Sequence, residues 1–304
     1  MSNFKIINPG LPKLFGLSDM TYIANNTYNP INGVSFNTFS SDRRQICLFP
    51  ACEEIWIKAG LYFTDFLISN NNSAEELTIG AGSSGLGVCV YKDTLCLFNK
   101  GTYYTNSALT YRLSAQVYYN ILFHAQSGSN GYIEAFVDGK RTGILHDQIA
   151  INNTLYMRNR HVSDYKCYLS NIIISNTEIK PTEEVYILDA KQTETDMTET
   201  SDSDNPHIYT ATSPEQTLLQ TVDADALATK IGTNKLRVTG IGVGANPIYY
   251  EGEDLTNVAF MVNDEEKEVA QLTTNTDGGL TFGCEADLSF NDLQTLKLGW
   301  KAKQ

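Results

Sequence analysis

The spacing of short apolar segments is the feature that most constrains how this chain can fold. Through residues 47–175, segments rich in β-branched and aromatic side chains recur at roughly the 8–12-residue spacing of sandwiches and barrels, with Gly, Asn, Asp or Ser between them. No helical period of normal length occurs before Pro181. The sequence therefore predicts an all-β chain, with Trp56 as a core anchor of an early strand.

The clearest local signal is the pair Asp138-Gly139, which lies between two extended apolar segments. A type I′ hairpin turn needs a positive φ at both central residues, and Asp-Gly is among the pairs that favour it most strongly. Lys92-Asp93 predicts a second tight turn, which places Cys89 opposite Cys96 at a separation that a disulfide can bridge. We expect both thiols to stay reduced, because the N-terminal sequence lacks the features of a signal peptide.

Composition divides the chain into unequal parts. Residues 183–212 include an acidic stretch that is rich in Thr and Ser and almost free of apolar side chains, which is typical of a linker. A short helix is predicted to begin at Ser213, and a second is predicted to end at Gly232. We therefore predict a β-sandwich domain at residues 1–182, a linker, and a smaller β-rich domain of immunoglobulin-like size at residues 213–304 with one or two short helices.

Negative charge is concentrated in the second part of the chain. From Pro181 onward there are 8 Lys and Arg against 22 Asp and Glu, whereas the first 180 residues hold 14 against 13. A polyanionic surface repels phosphate backbones, so we expect no nucleic-acid partner. No apolar run approaches the roughly 20 residues of a spanning helix, so we expect no membrane insertion. The charge predicts a solvated acidic surface, with cation binding as the alternative.

The order of features in the later strands is more specific. A strand at Tyr119 precedes the hairpin Ala135-Phe-Val-Asp-Gly-Lys140, and Leu169-Ser-Asn-Ile-Ile-Ile-Ser-Asn-Thr-Glu-Ile179 follows it. Together with Ile55-Trp-Ile-Lys-Ala59 upstream, this order resembles the concanavalin A-like (laminin-G-like) jelly-roll family over about residues 40–180. The resemblance implies two facing antiparallel sheets that hold ligands on the concave face or in edge loops. It also implies function classes that include lectins, adhesion modules, glycoside hydrolases and phage tail or minor structural proteins.

Motifs for catalysis and metal binding are weak. Hydrolases of that family carry a Glu-x-Asp-x-x-Glu strand for retaining glycoside chemistry, and no such strand occurs here. The six cysteines form no CxxC pair and the four histidines are isolated in sequence, so we expect no metal and no cofactor. His124 is expected to be packed rather than catalytic; His124 and Glu134 are the residues to substitute if activity is found. The sequence predicts a protein that is not an enzyme.

Two polar loops are candidates for carbohydrate binding, which uses aromatic faces and planar polar groups. Tyr103, Tyr104 and Asn106 lie between strands in the first loop, and Arg158 and Asn159 lie in the second. Adjacent strand residues point to opposite faces, so one of the two tyrosines is expected in the core. We take these five residues as the candidate ligand-binding residues, with ordinary loop surface as the alternative.

Three functions follow from this, in order of preference. The first is a non-catalytic structural protein of a phage or prophage virion (tail, fibre or decoration type), multimeric and in contact with copies of itself, other virion proteins and host-surface carbohydrate. It would be made in the cytoplasm and located in the virion. The second is a free extracellular lectin or adhesin. The third is a glycan-cleaving enzyme.

Overall fold

The chain is described here by a computed structural model, which covers residues 3–8, 22–37, 43–66, 75–81, 85–158, 167–188, 190–200, 208–233, 235–245, 258–267, 270–272 and 280–303. Strands dominate these residues, with two short α-helices in the last third of the chain. The predicted fold class, an all-β chain with a sandwich first and a smaller β-rich part after it, is confirmed. Within the described ranges, neither helix is long and apolar enough to cross a membrane.

The first layer of the sandwich is an eight-stranded antiparallel sheet. Its strands, numbered in chain order, are β1 (Lys5–Asn8), β2 (Tyr22–Ala24), β3 (Val34–Asn37), β5 (Glu54–Phe63), β11 (Tyr118–Gln126), β12 (Gly128–Val137), β13 (Lys140–Ile149) and β15 (Cys167–Ser175). They run in the order β13-β12-β11-β5-β15-β3-β2, and β1 also pairs with β15.

The second layer is a seven-stranded antiparallel sheet. It contains β4 (Arg43–Leu48), β6 (Glu75–Ala81), β7 (Leu86–Tyr91), β8 (Thr94–Asn99), β9 (Thr102–Tyr104), β10 (Thr110–Arg112) and β14 (Thr154–Arg158). The order is β10-β8-β7-β6-β14-β4, with β9 also paired to β8, and one turn of 3-10 helix at Ser107–Leu109 precedes β10.

The core lies between these two sheets and follows from the alternation of side chains along each strand. In β5, Ile55 and Ile57 belong to the main apolar cluster, together with Phe123 of β11 and Leu97 of β8. The side chains between them, such as Trp56, lie on the opposite face of the eight-stranded sheet. We call that face, directed away from the seven-stranded sheet, the outer face.

Both tight turns that the sequence predicts are confirmed. Asp138 and Gly139 have φ angles of 48° and 78°, and Val137 pairs with Lys140 across the turn. Lys92 has a φ of 57°, and the register of β7 and β8 places Cys89 opposite Cys96 with their Sγ atoms 2.9 Å apart.

The last third of the chain contains three further sheets and two helices. The five-stranded sheet runs β16 (Ala190–Thr195), β19 (Thr217–Val222), β25 (Lys297–Ala302), β21 (Val258–Val262) and β22 (Glu265–Lys267). A two-stranded sheet pairs β17 (Thr198–Thr200) with β18 (Ile208–Thr210). In the three-stranded sheet, β24 (Leu280–Ser289) lies between β20 (Arg237–Ala245) and β23 (Ala270–Leu272). The helices are α1 (Ala224–Ile231) and α2 (Phe290–Gln294).

Two local predictions in this region have opposite outcomes. α1 is confirmed: Asp223 caps its first turn by accepting from Ala226, and Gly232 ends it in the left-handed conformation with a φ of 77°. The helix expected from Ser213 is wrong, because residues 213–216 form bends and turns that lead into β19.

The stretch 183–212, expected to be a linker, differs from that expectation where it is described. β16 pairs along β19 at the edge of the five-stranded sheet, and β17 pairs with β18. Five of the six residues of β16 are exposed, so backbone hydrogen bonds rather than apolar burial hold this strand. A segment without apolar residues therefore forms a strand. The division into domains at residues 182 and 213 stays a prediction.

A segment that we call the strap, residues 177–188, lies across the outer face. Ile179 and Val185 of the strap form an apolar cluster with Trp56, Leu122 and Ile173. The strap thus covers the part of the outer face nearest to β15 and leads the chain from the sandwich to the five-stranded sheet.

A buried ion pair joins the sandwich to the last third of the chain. Lys5 of β1 is 3% exposed, and its Nζ lies 2.6 Å from Oε2 of Glu183 in the strap and 3.0 Å from Oγ1 of Thr239 in β20. The Thr239 hydroxyl donates to the same carboxylate at 2.9 Å. Burial by itself raises the pKa of Glu183, but the hydrogen bonds from Lys5 and from the backbone of Lys180 outweigh it and lower that pKa.

This junction predicts a pH dependence. Because the pKa of Glu183 is lowered by folding, its carboxylate stabilises the fold fully above the ordinary value of 4.5, and the stabilisation is lost as the pH falls through the lower, folded-state value. The Glu183→Gln variant should therefore melt at a lower temperature than the wild type at pH 7, with a difference that shrinks below pH 4.5. Thermal melting over pH 3–7 measures this. Glu178→Gln, an exposed carboxylate of the same strap, is the matched control and should show no difference. A Glu183→Gln difference that is constant with pH would contradict the assignment.

Candidate functional site

The uncovered part of the outer face carries a cluster of aromatic and ionisable side chains on three neighbouring strands. Register places His124 of β11 opposite Trp56 of β5 on one side and opposite Glu134 of β12 on the other. Tyr132 of β12 and Glu54 of β5 lie two residues along their strands, on the same face. We call these five residues the outer-face site.

His124 is the centre of the cluster. Its Nδ1 lies 2.9 Å from Oε1 of Glu134, and its Nε2 lies 2.9 Å from Oε1 of Glu54. Its ring stacks on Trp56 with centroids 3.6 Å apart and planes 10° apart. The Trp56 indole also donates to Oε1 of Glu54 at 3.1 Å. The expectation that His124 is packed is confirmed, and the packing includes a hydrogen bond at each ring nitrogen.

The two carboxylates differ in burial. The Glu134 side chain is 11% exposed and the Glu54 side chain is 45% exposed. Ionised carboxylates only accept hydrogen bonds, so both contacts are made together when each ring nitrogen of His124 carries a proton. Arg141 of β13 adds a more distant cation, with Nη1 3.6 Å from Oε2 of Glu134.

Tyr132 forms the boundary between the buried and the open part of the site. Its ring meets His124 edge-on, with centroids 5.2 Å apart and an interplanar angle of 86°. Burial raises the pKa of Tyr132, and the charges of Glu134 and Glu54 raise it further, so the phenol keeps its proton. It therefore offers both a donor and an acceptor.

Beyond Tyr132 the face is open to solvent. His146 of β13 is exposed, and its ring centroid lies 6.0 Å from that of Tyr132. Gln126 and Arg141 are also exposed. A depression of about 370 Å³, lined by Cys52, Glu53, Glu54 and Asn176, adjoins the site at Glu54. The site thus presents aromatic surface, carboxylate oxygens and amide or guanidinium donors around a shallow opening.

Among the described residues, no group of three or more His, Cys, Asp and Glu is arranged to hold a metal ion.

The residues singled out from the sequence lie elsewhere. Tyr103 stacks on Phe98, with ring centroids 5.0 Å apart, in a small cluster on the other side of the seven-stranded sheet. Tyr104 packs against the main core, as expected for one of the two tyrosines, and its hydroxyl bonds to Asp147. Asn106 accepts from the backbone N–H of Ala108 at 2.9 Å and caps the 3-10 turn.

The second predicted loop is only partly described. Arg158 is the last residue of β14 and pairs with Arg43 and Thr78 in register. Asn159 lies outside the described residues. Ligand binding at either loop stays a prediction.

Sequence reasoning noted Trp56 as a core anchor and named His124 and Glu134 together as residues to substitute, but it missed Tyr132 and Glu54 as their neighbours. The Asp138-Gly139 turn predicts the β12–β13 hairpin, but not the β11–β12 pairing that joins His124 to Glu134. The turn residues Ser127-Gly-Ser-Asn-Gly131 connect β11 to β12 and are the local signal for that pairing, which has no register shift.

Comparisons with known proteins locate the chain only at the level of the fold. No family model matches the sequence, and no curated protein matches it significantly. Similar solved structures include an endo-β-1,4-glucuronan lyase from the fungus Trichoderma reesei, with a TM-score of 0.40, 10% identity, and coverage of 58% of this chain and 98% of that one. An alginate lyase in complex with an alginate trisaccharide gives 0.36 and 11%, covering 58% and 99%. The receptor-binding domain of botulinum neurotoxin type G gives 0.39 and 11%, covering 99% and 77%.

The two antiparallel sheets of this chain confirm the expected β-sandwich, whereas the phage-type assignment stays a prediction. The expectation that the chain is not an enzyme is wrong, because glycan lyases are among the similar structures. The physical reason is that the missing Glu-x-Asp-x-x-Glu strand excludes one hydrolase chemistry only. A proton-transfer reaction needs an acid and a base, which residues distant in sequence can supply.

The unequal burial of the two carboxylates leads to a prediction. Glu134→Ala removes a buried charge-assisted bond to His124 and should lower the free energy of unfolding by about 1.5–3 kcal/mol. Glu54→Ala removes a bond of the same length from a half-exposed carboxylate and should cost less than about 1 kcal/mol. Urea denaturation followed by circular dichroism measures both. Equal losses in the two variants would show that burial does not set the strength of these contacts.

Proposed function

We propose that this protein binds carbohydrate at the outer-face site. The observation that carries the proposal is the continuous contact of Trp56, His124 and Tyr132, flanked by Glu54 and Glu134, at the edge of an open face. Sugars present C–H surfaces that pack on aromatic rings, and hydroxyls that pair with planar carboxylate, amide and guanidinium groups. The outer-face site offers both kinds of surface within one sheet.

The internal contacts of the site favour a preorganised binding surface. Trp56 and His124 are held by stacking and by both carboxylates, so little side-chain freedom remains to be lost there when a ligand binds. Tyr132, Gln126 and His146 lie at the solvent side and are the groups that a sugar chain would contact.

A glycan array followed by titration calorimetry tests the proposal. For a glycan that binds, Tyr132→Ala and His146→Ala should each weaken the affinity by about tenfold or more, which corresponds to about 1.4 kcal/mol. Tyr103→Ala is the matched control, because that tyrosine belongs to the other predicted site, and it should leave the affinity unchanged. No binding on the array, or loss in the Tyr103 variant only, would reject the outer-face site.

Cleavage of the bound glycan is the second candidate, and one observation favours it. Four titratable side chains, Glu54, His124, Glu134 and Tyr132, are in contact, and the tyrosine that retains its proton faces the opening. Such a group can transfer protons at a bound sugar.

Incubation with each glycan that binds, followed by separation of the products by size, distinguishes cleavage from binding. His124→Ala should abolish product formation, and Tyr103→Ala should not. Intact glycan after prolonged incubation with the wild type would leave binding as the function.

We further propose that this carbohydrate-binding chain belongs to a phage or prophage virion, where its partners are copies of itself and other virion proteins. Its support is the sheet edge at β16 and at β22, where most side chains are exposed and the outer backbone groups are suited to pairing with another chain. The protein should then form a stable multimer in light scattering coupled to size exclusion. A monomer at every concentration would instead support a free extracellular lectin or adhesin.

A further inference from the structure

A large apolar cavity lies in the last third of the chain, close to the junction with the sandwich. Its volume is about 720 Å³, and residues of the five-stranded sheet, of β20, of α1 and of the strap line it. The apolar lining that matters for the argument consists of Leu218, Val222, Ile231, Val238, Leu298 and Trp300. All of these except Trp300 are only partly buried, and they pack against the apolar cluster that contains Phe260 and Trp300.

The walls of this cavity favour an apolar occupant. The cavity is partly open to solvent, so water can enter it, and an apolar ligand that displaces poorly ordered water from such walls gains affinity. Ordered water needs polar partners, and the aliphatic side chains of the lining offer none. The volume lies within the range of about 300–1,000 Å³ that is typical of small-molecule sites.

One end of the cavity is polar and carries charged side chains of both signs. Lys5, Lys180 and Arg237 line that end, together with the carboxylates of Glu183 and Glu184. Lys180 is exposed and can orient its ammonium group toward a ligand, whereas Lys5 pairs with Glu183 and Arg237 pairs with Asp287.

We propose that this cavity binds a single-chain amphiphile with an acidic headgroup, such as a long-chain fatty acid. The acyl chain lies between the sheets against Trp300, and the headgroup lies at the polar end, beside the exposed ammonium group of Lys180. The cavity is separate from the outer-face site, so this inference stands or falls independently of carbohydrate binding.

Tryptophan fluorescence tests the location directly, because the chain has only two tryptophans. Trp300 lines the cavity, whereas Trp56 lies on the outer face. In a Trp56→Phe variant, dibrominated stearate below its micelle concentration should quench Trp300, and unbrominated stearate should reverse the quenching. In the converse Trp300→Phe variant, Trp56 should be quenched less, because it lies behind Val185 rather than in the lining. Absence of quenching in the first variant, or equal quenching in both, would overturn the proposal.

A filled cavity supplies the second test. Val238→Phe adds volume inside the lining and should weaken stearate binding tenfold or more, while Val117→Phe adds the same volume at a site that is 41% exposed and should not change it. Thermal melting of both variants verifies folding.

Should Val238→Phe not fold, native mass spectrometry of the wild type with stearate and with stearyl alcohol replaces this test. One bound stearate and several-fold weaker alcohol binding are expected; no bound stearate overturns the cavity assignment, and equal binding of both overturns the acidic headgroup.

Discussion

The architecture depends on one buried side chain, Lys58, at the middle of β5 on the outer face. It is 1% exposed, and its Nζ donates to the carbonyl oxygens of Pro181, at 2.9 Å, and of Glu183, with the Glu184 carboxylate 3.5 Å away. Three acceptors match the three protons of an ammonium group. Burial lowers the pKa of Lys58 and raises that of Glu184, while the attraction between the two charges opposes both shifts. This cation fixes the strap to the sheet.

The position of the strap decides which part of the outer face can act as a site. Around Lys58 the strap buries Leu122 and one side of Trp56 under Ile179 and Val185. Further out on the same sheet, Tyr132 of β12 is partly exposed and His146 of β13 is exposed. Trp56 therefore serves as an apolar anchor for the strap and as a stacking platform for His124. The functional surface is the part of a continuous polar and aromatic face that the strap leaves open.

Local signals in the sequence were sufficient for some features and not for others. The positive φ angles of Asp138 and Gly139 are a property of two adjacent residues, so the hairpin turn could be predicted. The same holds for α1, which has its own cap at Asp223 and its own stop at Gly232. The register shift between Ala135 and Phe136 in the β12–β13 hairpin could not be predicted. The contact between Glu54, His124 and Glu134 depends on two strand pairings. The β11–β12 hairpin has a local turn signal, whereas the β5–β11 pairing joins strands that are distant in sequence, and no local pattern encodes it.

Strand β16, which lies within the expected linker, was missed for a related reason. Apolar periodicity identifies strands that bury one face, and β16 buries almost nothing. Its partner β19 supplies the hydrogen bonds, and a pattern of apolar residues cannot predict that contribution. Lys5 and Glu183 lie 178 residues apart in the chain, so the sequence could not predict the ion pair that joins the sandwich to the last third of the chain.

The strap also determines how the two proposed sites relate to each other. Its residues Glu183 and Val185 both line the cavity, and Val185 packs in the apolar cluster around Trp56 on the other side. Coupling between two sites requires an element with two arrangements whose balance each ligand changes. The bonds of Lys58 to the carbonyls of Pro181 and Glu183, and of Lys5 to the Glu183 side chain, hold the strap in a single arrangement. The structure therefore favours two sites that share a wall and bind independently.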